Sequence, residues 1–378
     1  MSSIDIIKAE TRKQLRTFVK FPWTVYKNDK NWVPPLIASQ IEKLDSNNGV
    51  FFQQGDAEAF MAFRDGKIAG TIVPWINHRS NAFKDEKTAG FGYFESIDDF
   101  DVCRKLLDTA CNWANRRGAE VIRGPLCFSP QDSPGVLISG FDISPVPMVS
   151  HTPRYYAPFL EEYGFEKHRD AYAYKIDLTH FKNDIKNLPP KLLNVAEGVQ
   201  QRYDIKIRNL KMEEWDDELK SGLYIFNEAL GFQREGVPMD ESEFRKLASD
   251  LKPIVDPKLV FFATVNEQPV GLYVAIPNVN QVLQHVNGKL FPTGWLKLLM
   301  ASKYITMIST KILGVLEEYR NKGVDALFYV KIAEEAMKRG HKWIDYSLVA
   351  EENKMANRIV RRLGGTIYKT CRTYKMDL

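Results

Sequence analysis

Between Glu317 and Phe328 the chain reads EEYRNKGVDALF. A cation, Arg320, stands three residues before a glycine, Gly323, and an apolar helical run follows. Asn321, Lys322, Gly323 and Val324 would then present successive backbone N–H groups at a helix start, where free amides and the helix dipole together favour an anion. Gly323 has no Cβ to hold a ligand away from the backbone. A polar surface turn can carry the same four residues, so the reading depends on their context. Asp325 places a carboxylate in the first helical turn. It can cap free N–H groups there, and at close range it opposes a second anion. The arrangement that reconciles the two turns Asp325 away while the amides of residues 321–324 hold the anion. Two further residues are of types that move protons. Glu317 sits at the end of an apolar strand, and His285 lies in VLQHVNG near another strand end. Each alone is more often an exposed carboxylate or a partly buried imidazole. The chain has no Ser-His-Asp arrangement, no zinc-ligand spacing and no GxxxxGK[ST] loop, so no metal site is expected.

The 378 residues are 44% hydrophobic and 26% charged, ordinary globular values at a length that favours two domains. The 52 basic and 48 acidic residues leave a net charge of +4, too even a balance for a nucleic-acid binder. The four cysteines show no paired spacing and read as reduced core thiols of a cytoplasmic protein. The opening MSSIDIIKAETRKQ lacks an apolar signal region. No apolar run reaches the roughly 20 residues that span a bilayer, which leaves peripheral contact with a membrane surface open.

The elements that must position these residues occur twice. GFEKHRDAYAYKIDL, residues 164–178, returns as GGTIYKTCRTYKMDL, residues 364–378. Upstream of each lies an amphipathic helix ending in Arg-Gly and running into a strand. Val102, Leu106, Ala110 and Trp113 share one face of the first helix, and Leu327, Val330, Ala333 and Met337 share one face of the second. Each half also contains two strands joined by a tight turn, RDGK in one and NEQP in the other. Each half therefore reads β-α-α-β-β-β-α-β-α-β. A polar stretch with a proline pair, residues 181–202, reads as a linker with a short helix and divides 1–180 from 203–378.

On these residues the second half resembles the GCN5-related N-acetyltransferase (GNAT) superfamily. VLEEYRNKGVD, Val315 to Asp325, is similar to that family's turn from the fourth strand into a helix. SLVAEENKMANRIVRRLGG resembles its next strand and helix, with Asn353, Ala356 and Gly364 matching. The first half resembles the same fold more faintly, and the pairing resembles a bacterial acetyltransferase-like group. The resemblance implies an α/β (α+β) chain of two tandem domains, each a mixed twisted sheet flanked by helices. It implies acetyl-CoA or a longer acyl-CoA as co-substrate, its pyrophosphate held by Val315, Arg320, Asn321, Lys322, Gly323, Val324 and Asn353 of the second domain. The first domain, residues 1–180, is expected to be degenerate, because FGYFESIDDFDVCRKLL has no Arg-x-x-Gly and crowds Asp98, Asp99 and Asp101 at its helix start.

Acyl transfer from a thioester to an amine needs an oxyanion donor, a base and a donor for the leaving thiolate. Glu317 and His285 are the candidate bases. Where the family often places a tyrosine acid this chain has Val360, so Tyr346 is the substitute, with Tyr368 and Tyr374 behind it. The acceptor implied is a small-molecule or lipid amine, since some paired relatives resemble acylators of long-chain sphingoid amines. A segment from Lys289 to Ile305 reads as an inserted amphipathic helix. It either packs as core or lines a groove for an acyl chain with Phe291, Trp295, Leu299 and Met300. Two other readings stand beside the N-acyltransferase. One is a non-catalytic acyl-CoA or ligand binder that keeps the fold. The other is an aminoacyl or peptidyl transferase of tandem fold, which the charge balance disfavours.

Overall fold

A computed structural model describes residues 3–128, 134–230, 237–289 and 305–378. The segment expected to form an acyl groove, with Phe291, Trp295, Leu299 and Met300, lies outside the described residues. Two compact units emerge: Met1–Tyr172 with Asn280–Ser302 and Tyr368–Leu378, and Ala173–Val279 with Lys303–Ile367. Each draws on both halves of the chain.

The first unit contains strands β1 (Ile4–Lys8), β2 (Gly55–Ala57), β3 (Phe60–Arg64), β4 (Lys67–Asn77), β5 (Thr88–Ser96), β6 (Val121–Gly124) and β7 (Val136–Ser139). Its helices are α1 (Arg12–Lys20), α2 (Pro22–Val25), α3 (Ile37–Leu44), α4 (His78–Lys84), α5 (Phe100–Asn115) and α6 (Tyr156–Tyr163). Strand β8 (Glu166–Asp177) carries the chain into the second unit. That unit holds helices α7 (Pro190–Tyr203), α8 (Trp215–Leu230) and α9 (Glu241–Leu251), strands β9 (Lys206–Asn209), β10 (Val260–Val265), β11 (Gln268–Pro277) and β12 (Met307–Val315), helix α10 (Val324–Lys338), strand β13 (Trp343–Ala350) and helix α11 (Lys354–Arg362). Strand β14 (Thr366–Asp377) returns to the first unit from Tyr368 onward.

The strand order in the first unit is β1-β3-β4-β5-β6-β14, with β2 on β4 and β7 on β14. In the second it is β9-β10-β11-β12-β13-β8. Only the pairs β5–β6 and β12–β13 are parallel among the registers described, and an α-helix connects each of them. The two hairpins fall where the turn residues put them. Asp65 and Gly66 have φ of 50° and 75°, and Asn266 and Glu267 have 48° and 65°. Two successive left-handed residues match the right-handed twist of the flanking strands.

The repeated segments now acquire a meaning. β8 and β14 stand 200 residues apart, the offset of the sequence repeat. The strand of the first repeat ends in the second unit, and the strand of the second repeat ends in the first. Tyr374, Lys375, Met376 and Asp377 pair with Gly124, Arg123, Ile122 and Val121. Arg372 forms a two-pronged ion pair with Asp170 at 2.8 and 3.0 Å.

Helix α5 buries Val102, Leu106, Ala110 and Trp113, the expected face, against the first sheet. Helix α10 buries more than one stripe. Leu327, Ala333 and Met337 are buried, Val330 is only half-buried, and Phe328, Tyr329 and Ile332 are buried as well. The reason is that α10 packs on the sheet on one side and on α7 on the other. The helix in the polar linker is thus a structural layer of its unit.

Candidate functional site

The strand-turn-helix of the second unit forms as a bulge, a splay and a turn. β11 and β12 pair antiparallel with a register shift: Val274 faces Ile312 and Ala275 faces Thr310, so Lys311 is an extra residue on β12. β12 then pairs with β13 only from Met307↔Trp343 to Thr310↔Tyr346, although both strands continue. Beyond Thr310 the paired register of the two strands ends.

Around this opening sits a polar cluster of which the sequence suggested only Tyr346. Asp345, fully buried, accepts from Ser309 and, at 2.6 Å, from Ser347. Lys311 Nζ lies 3.5 Å from Ser347 Oγ. Tyr273 and Thr310 hydroxyls are 2.5 Å apart, and Tyr273 donates to Tyr346 at 3.3 Å. Burial pushes the Tyr346 phenol well above its ordinary range, so it stays protonated. Glu317 is exposed on a short 3₁₀ turn, Glu317–Tyr319.

Past that turn the backbone swings through Asn321 and Gly323, at φ 60° and 87°, into α10. Arg320 does not reach into the turn. Its Nε donates to Val315 O at 3.2 Å and an Nη to Ala229 O at 3.2 Å, fastening the end of β12 to the last turn of α8. Lys322 lies over the rings of Tyr319 and Tyr203, 4.9 and 5.5 Å from their centres. A Cβ on Gly323 would stand 2.7 Å from methyls of Val195 and Val199 on α7, so the glycine accommodates a helix as well as a left-handed bend. Burial raises the pKa of Asp325, and hydrogen bonds to the backbone N–H groups of Ala326 and Asp325 itself work against that rise. Its carboxylate thus lies in the first turn of α10 beside those amides, and the N-cap residue, Gly323, provides no side-chain cap. Asn353 caps α11, its side-chain oxygen accepting from Ala356 N at 3.1 Å, and Val360 is buried.

The first unit repeats the bulge and the splay with different contents. Thr71 faces Glu95 while Val73 faces Gly92, so β5 carries one extra residue at Tyr93–Phe94, and the φ of Tyr93 is 47°. β5 and β6 pair only over Thr88–Gly90 and Val121–Arg123. At the start of α5, Asp99 accepts from the amides of Asp101 (3.1 Å) and Val102 (3.4 Å) and pairs with Arg64. The anion position there is filled by the protein's own carboxylate.

Just before that turn stands Glu95. It accepts from Tyr156 OH at 2.6 Å and Tyr26 OH at 3.0 Å. Burial raises its pKa to about 7, outweighing the two phenol hydrogen bonds. Tyr26 lines a cavity of about 470 Å³ together with Trp23, Asp29, Trp32, His285 and Asn287. Asp29 accepts from His151 Nε2 at 2.8 Å, and the other ring nitrogen of His151 lies 3.4 Å from Lys369 Nζ. Lys369 is fully buried and donates to Gly140 O at 2.7 Å. Burial lowers the His151 pKa and brings that of Lys369 down to about 8. His285 thus belongs to this unit, while Glu317 and Tyr346 belong to the other. Sequence reading missed Glu95, Tyr26, His151 and Lys369, because nothing in their spacing links them.

No protein-family model matches the chain. Across 99% of its length it superposes on 98% of a tandem GNAT protein from the clavulanic acid biosynthesis pathway, with a TM-score of 0.58 at 10% identity. A bulged strand, a splay and a helix-entry turn, each present twice, together with that likeness define a fold of two paired GNAT-like domains. All of the chain aligns at 31% identity with 98% of the "Bacterial ceramide synthase" of Caulobacter vibrioides (strain NA1000 / CB15N), and the chain belongs to that protein's family. Protein YghO of Escherichia coli (strain K12) is 29% identical over 97% of this chain and 94% of its own length.

Proposed function

We propose that the protein transfers an acyl group from an acyl-CoA to the amino group of a long-chain lipid amine. The observation that carries this is the 31% identity along the whole chain to a protein named for ceramide synthesis, a reaction that acylates such an amine. The β12–β13 opening supports the same reading. A thioester carbonyl lying there would take a hydrogen bond from the β12 amides beyond Thr310, which stabilise the oxyanion of the tetrahedral intermediate. The amine attacks the carbonyl carbon, the C–S bond breaks, the thiolate takes a proton from Tyr346, and the second proton of the attacking nitrogen passes back to that phenolate as the amide forms. Glu317, exposed at the mouth of the turn, receives the ammonium proton through water. Asn321, Lys322, Gly323 and Val324 would offer their backbone N–H groups to the pyrophosphate, with Val315 and Arg320 bracing the turn and Asn353 bracing the next helix. The described residues include no helix long and apolar enough to cross a membrane. Work in the cytoplasm, with peripheral contact to a membrane that holds the amine, completes the proposal.

The test is release of free thiol from acetyl-, octanoyl- and palmitoyl-CoA with octadecylamine as acceptor. The expected result is turnover that requires the amine and rises with acyl length. Absence of amine-dependent thiol release with every donor would overturn it. One set of observations favours a binding protein without turnover: Asp325 stands in the first turn of the helix that phosphate would approach, and Arg320 is committed to two carbonyls. Tight CoA binding with no thiol release selects that reading.

A further inference from the structure

The cavity of the first unit has no part in the steps above. We propose that it binds the ammonium head of an alkyl amine, with Asp29 as the counter-charge and the aromatic rings as its walls. Its volume, about 470 Å³, lies within the range of small-molecule sites. Tyr26 and Trp32 stack with ring centres 4.8 Å apart and planes 5° from parallel, and Trp23 meets Trp32 edge-on at 5.1 Å. Trp23 is held in turn by its Nε1, which donates to Asn287 at 2.6 Å. Such rings offer a cation their electron-rich faces and an alkyl chain an apolar surface.

The charge at the cavity wall is negative where it is fixed. Asp29 takes one hydrogen bond from Asn31 N at 2.8 Å and one from His151 at 2.8 Å. A carboxylate has about four acceptor positions, so these two leave capacity for a ligand donor. Burial lowers the His151 pKa, so His151 supplies Asp29 with a hydrogen bond, and the buried cation nearby, Lys369, stands behind the imidazole at 3.4 Å from its other nitrogen. Tyr26 commits its proton to Glu95, which leaves it only lone pairs to offer. Lys27 and Lys30 also line the cavity, but both are exposed and screened by solvent. An anionic ligand would draw on those two lysines and would have to sit against Asp29.

The choice of an alkyl amine rests on the acyl-transfer reading, whereas the aromatic and acidic lining does not. The experiment is titration calorimetry of the full chain, without any acyl-CoA, using octylamine, octan-1-ol and octanoate. Octylamine should bind, with the alcohol and the acid weaker by about tenfold or more. Asp29→Asn should weaken octylamine by about tenfold, and Trp32→Leu, which leaves the His151 contact intact, should weaken it comparably. Lys30→Gln should leave octylamine binding unchanged or slightly tighter. Octanoate binding as well as octylamine, no octylamine binding, or octylamine affinity unaltered in Trp32→Leu would each overturn the inference. A protein that binds octylamine through Trp32 and Asp29 yet releases no thiol keeps this site and loses the acyl-transfer reading.

Discussion

The turns that lead into α5 and α10 start from the same backbone plan and end in different chemistry. Both follow a bulged strand that peels away from its parallel neighbour, and both open a helix whose first amides seek an acceptor. In the first unit the acceptor is Asp99, outside the helix and ion-paired to Arg64. In the second the nearby carboxylate is Asp325, inside the first turn, while Gly323 supplies a left-handed entry with no side chain to cap it. The lesson is that a helix start in a folded protein is rarely left unfilled. Anion affinity then depends on how readily the internal carboxylate gives way. An ion-paired cap resists displacement. A partly buried carboxylate with a raised pKa, held by backbone amides alone, is the easier one to replace.

The largest break in this comparison comes from Gly323→Val. It forces a β-branched residue to φ 87° and drives its side chain into Val195 and Val199. The summed cost of left-handed strain and overpacking is about 4 kcal/mol. Urea unfolding should show that loss together with lost CoA binding. A variant of near wild-type stability means that α7 does not pack as described.

Next in size is Glu95→Gln, which probes the first unit. A carboxyl whose folded pKa is raised to about 7 keeps, in the native state, a proton that the unfolded chain releases from its ordinary range. The native state is therefore favoured most below the unfolded pKa, and that advantage declines as pH rises through about 7. Wild-type stability should fall by roughly 2 kcal/mol from this group between mildly acid and mildly alkaline pH. Gln removes that slope, and urea midpoints at both ends of the range read it directly. Parallel pH slopes for the two proteins count against a buried, protonated Glu95.

Asp325→Ala sharpens the contrast between the two helix starts. It should cost about 1 kcal/mol through the lost first-turn carboxylate and raise CoA affinity severalfold, whereas Asp99→Ala should cost stability and leave CoA affinity unchanged. Equal effects of the two variants on CoA binding erase the distinction. The smallest effect is expected from Asn353→Ala, roughly 0.5–1 kcal/mol for the cap of α11, read as a slight drop in melting temperature with CoA binding retained.

Much of the fold could be read from the chain because local signals agreed with one another. The Asp-Gly and Asn-Glu turns, the Val102–Trp113 face and the repeated tails each marked an element that formed. Which sheet receives each tail was not legible. YKIDL and YKMDL have the same alternation and length, so either edge accepts either strand on local grounds. The width of the buried face of α10 was hidden for a related reason, since it depends on α7, a helix that reads as a polar linker. At the candidate site, the Arg320–Gly323 string pointed to a turn that exists, but not to the two carbonyls that engage Arg320. Glu95, Tyr26, His151 and Lys369 come together only through the folded sheet. Lys369 is buried because Gly140 and His151, distant in the chain, close over its ammonium.

The pairing of β14 with β6 also bears on how the molecule is made. Ribosomes deliver residues in order, at roughly 5–20 per second. The first unit has most of its sheet by the time β8 emerges, yet the strand that lies against β6 comes from residues 368–377. For the interval between, roughly ten to forty seconds at those rates, the edge of β6 is an open template. A gene fragment that stops after the first repeat leaves that edge open permanently, so such a fragment should aggregate, and supplying the missing strand as a peptide should rescue it.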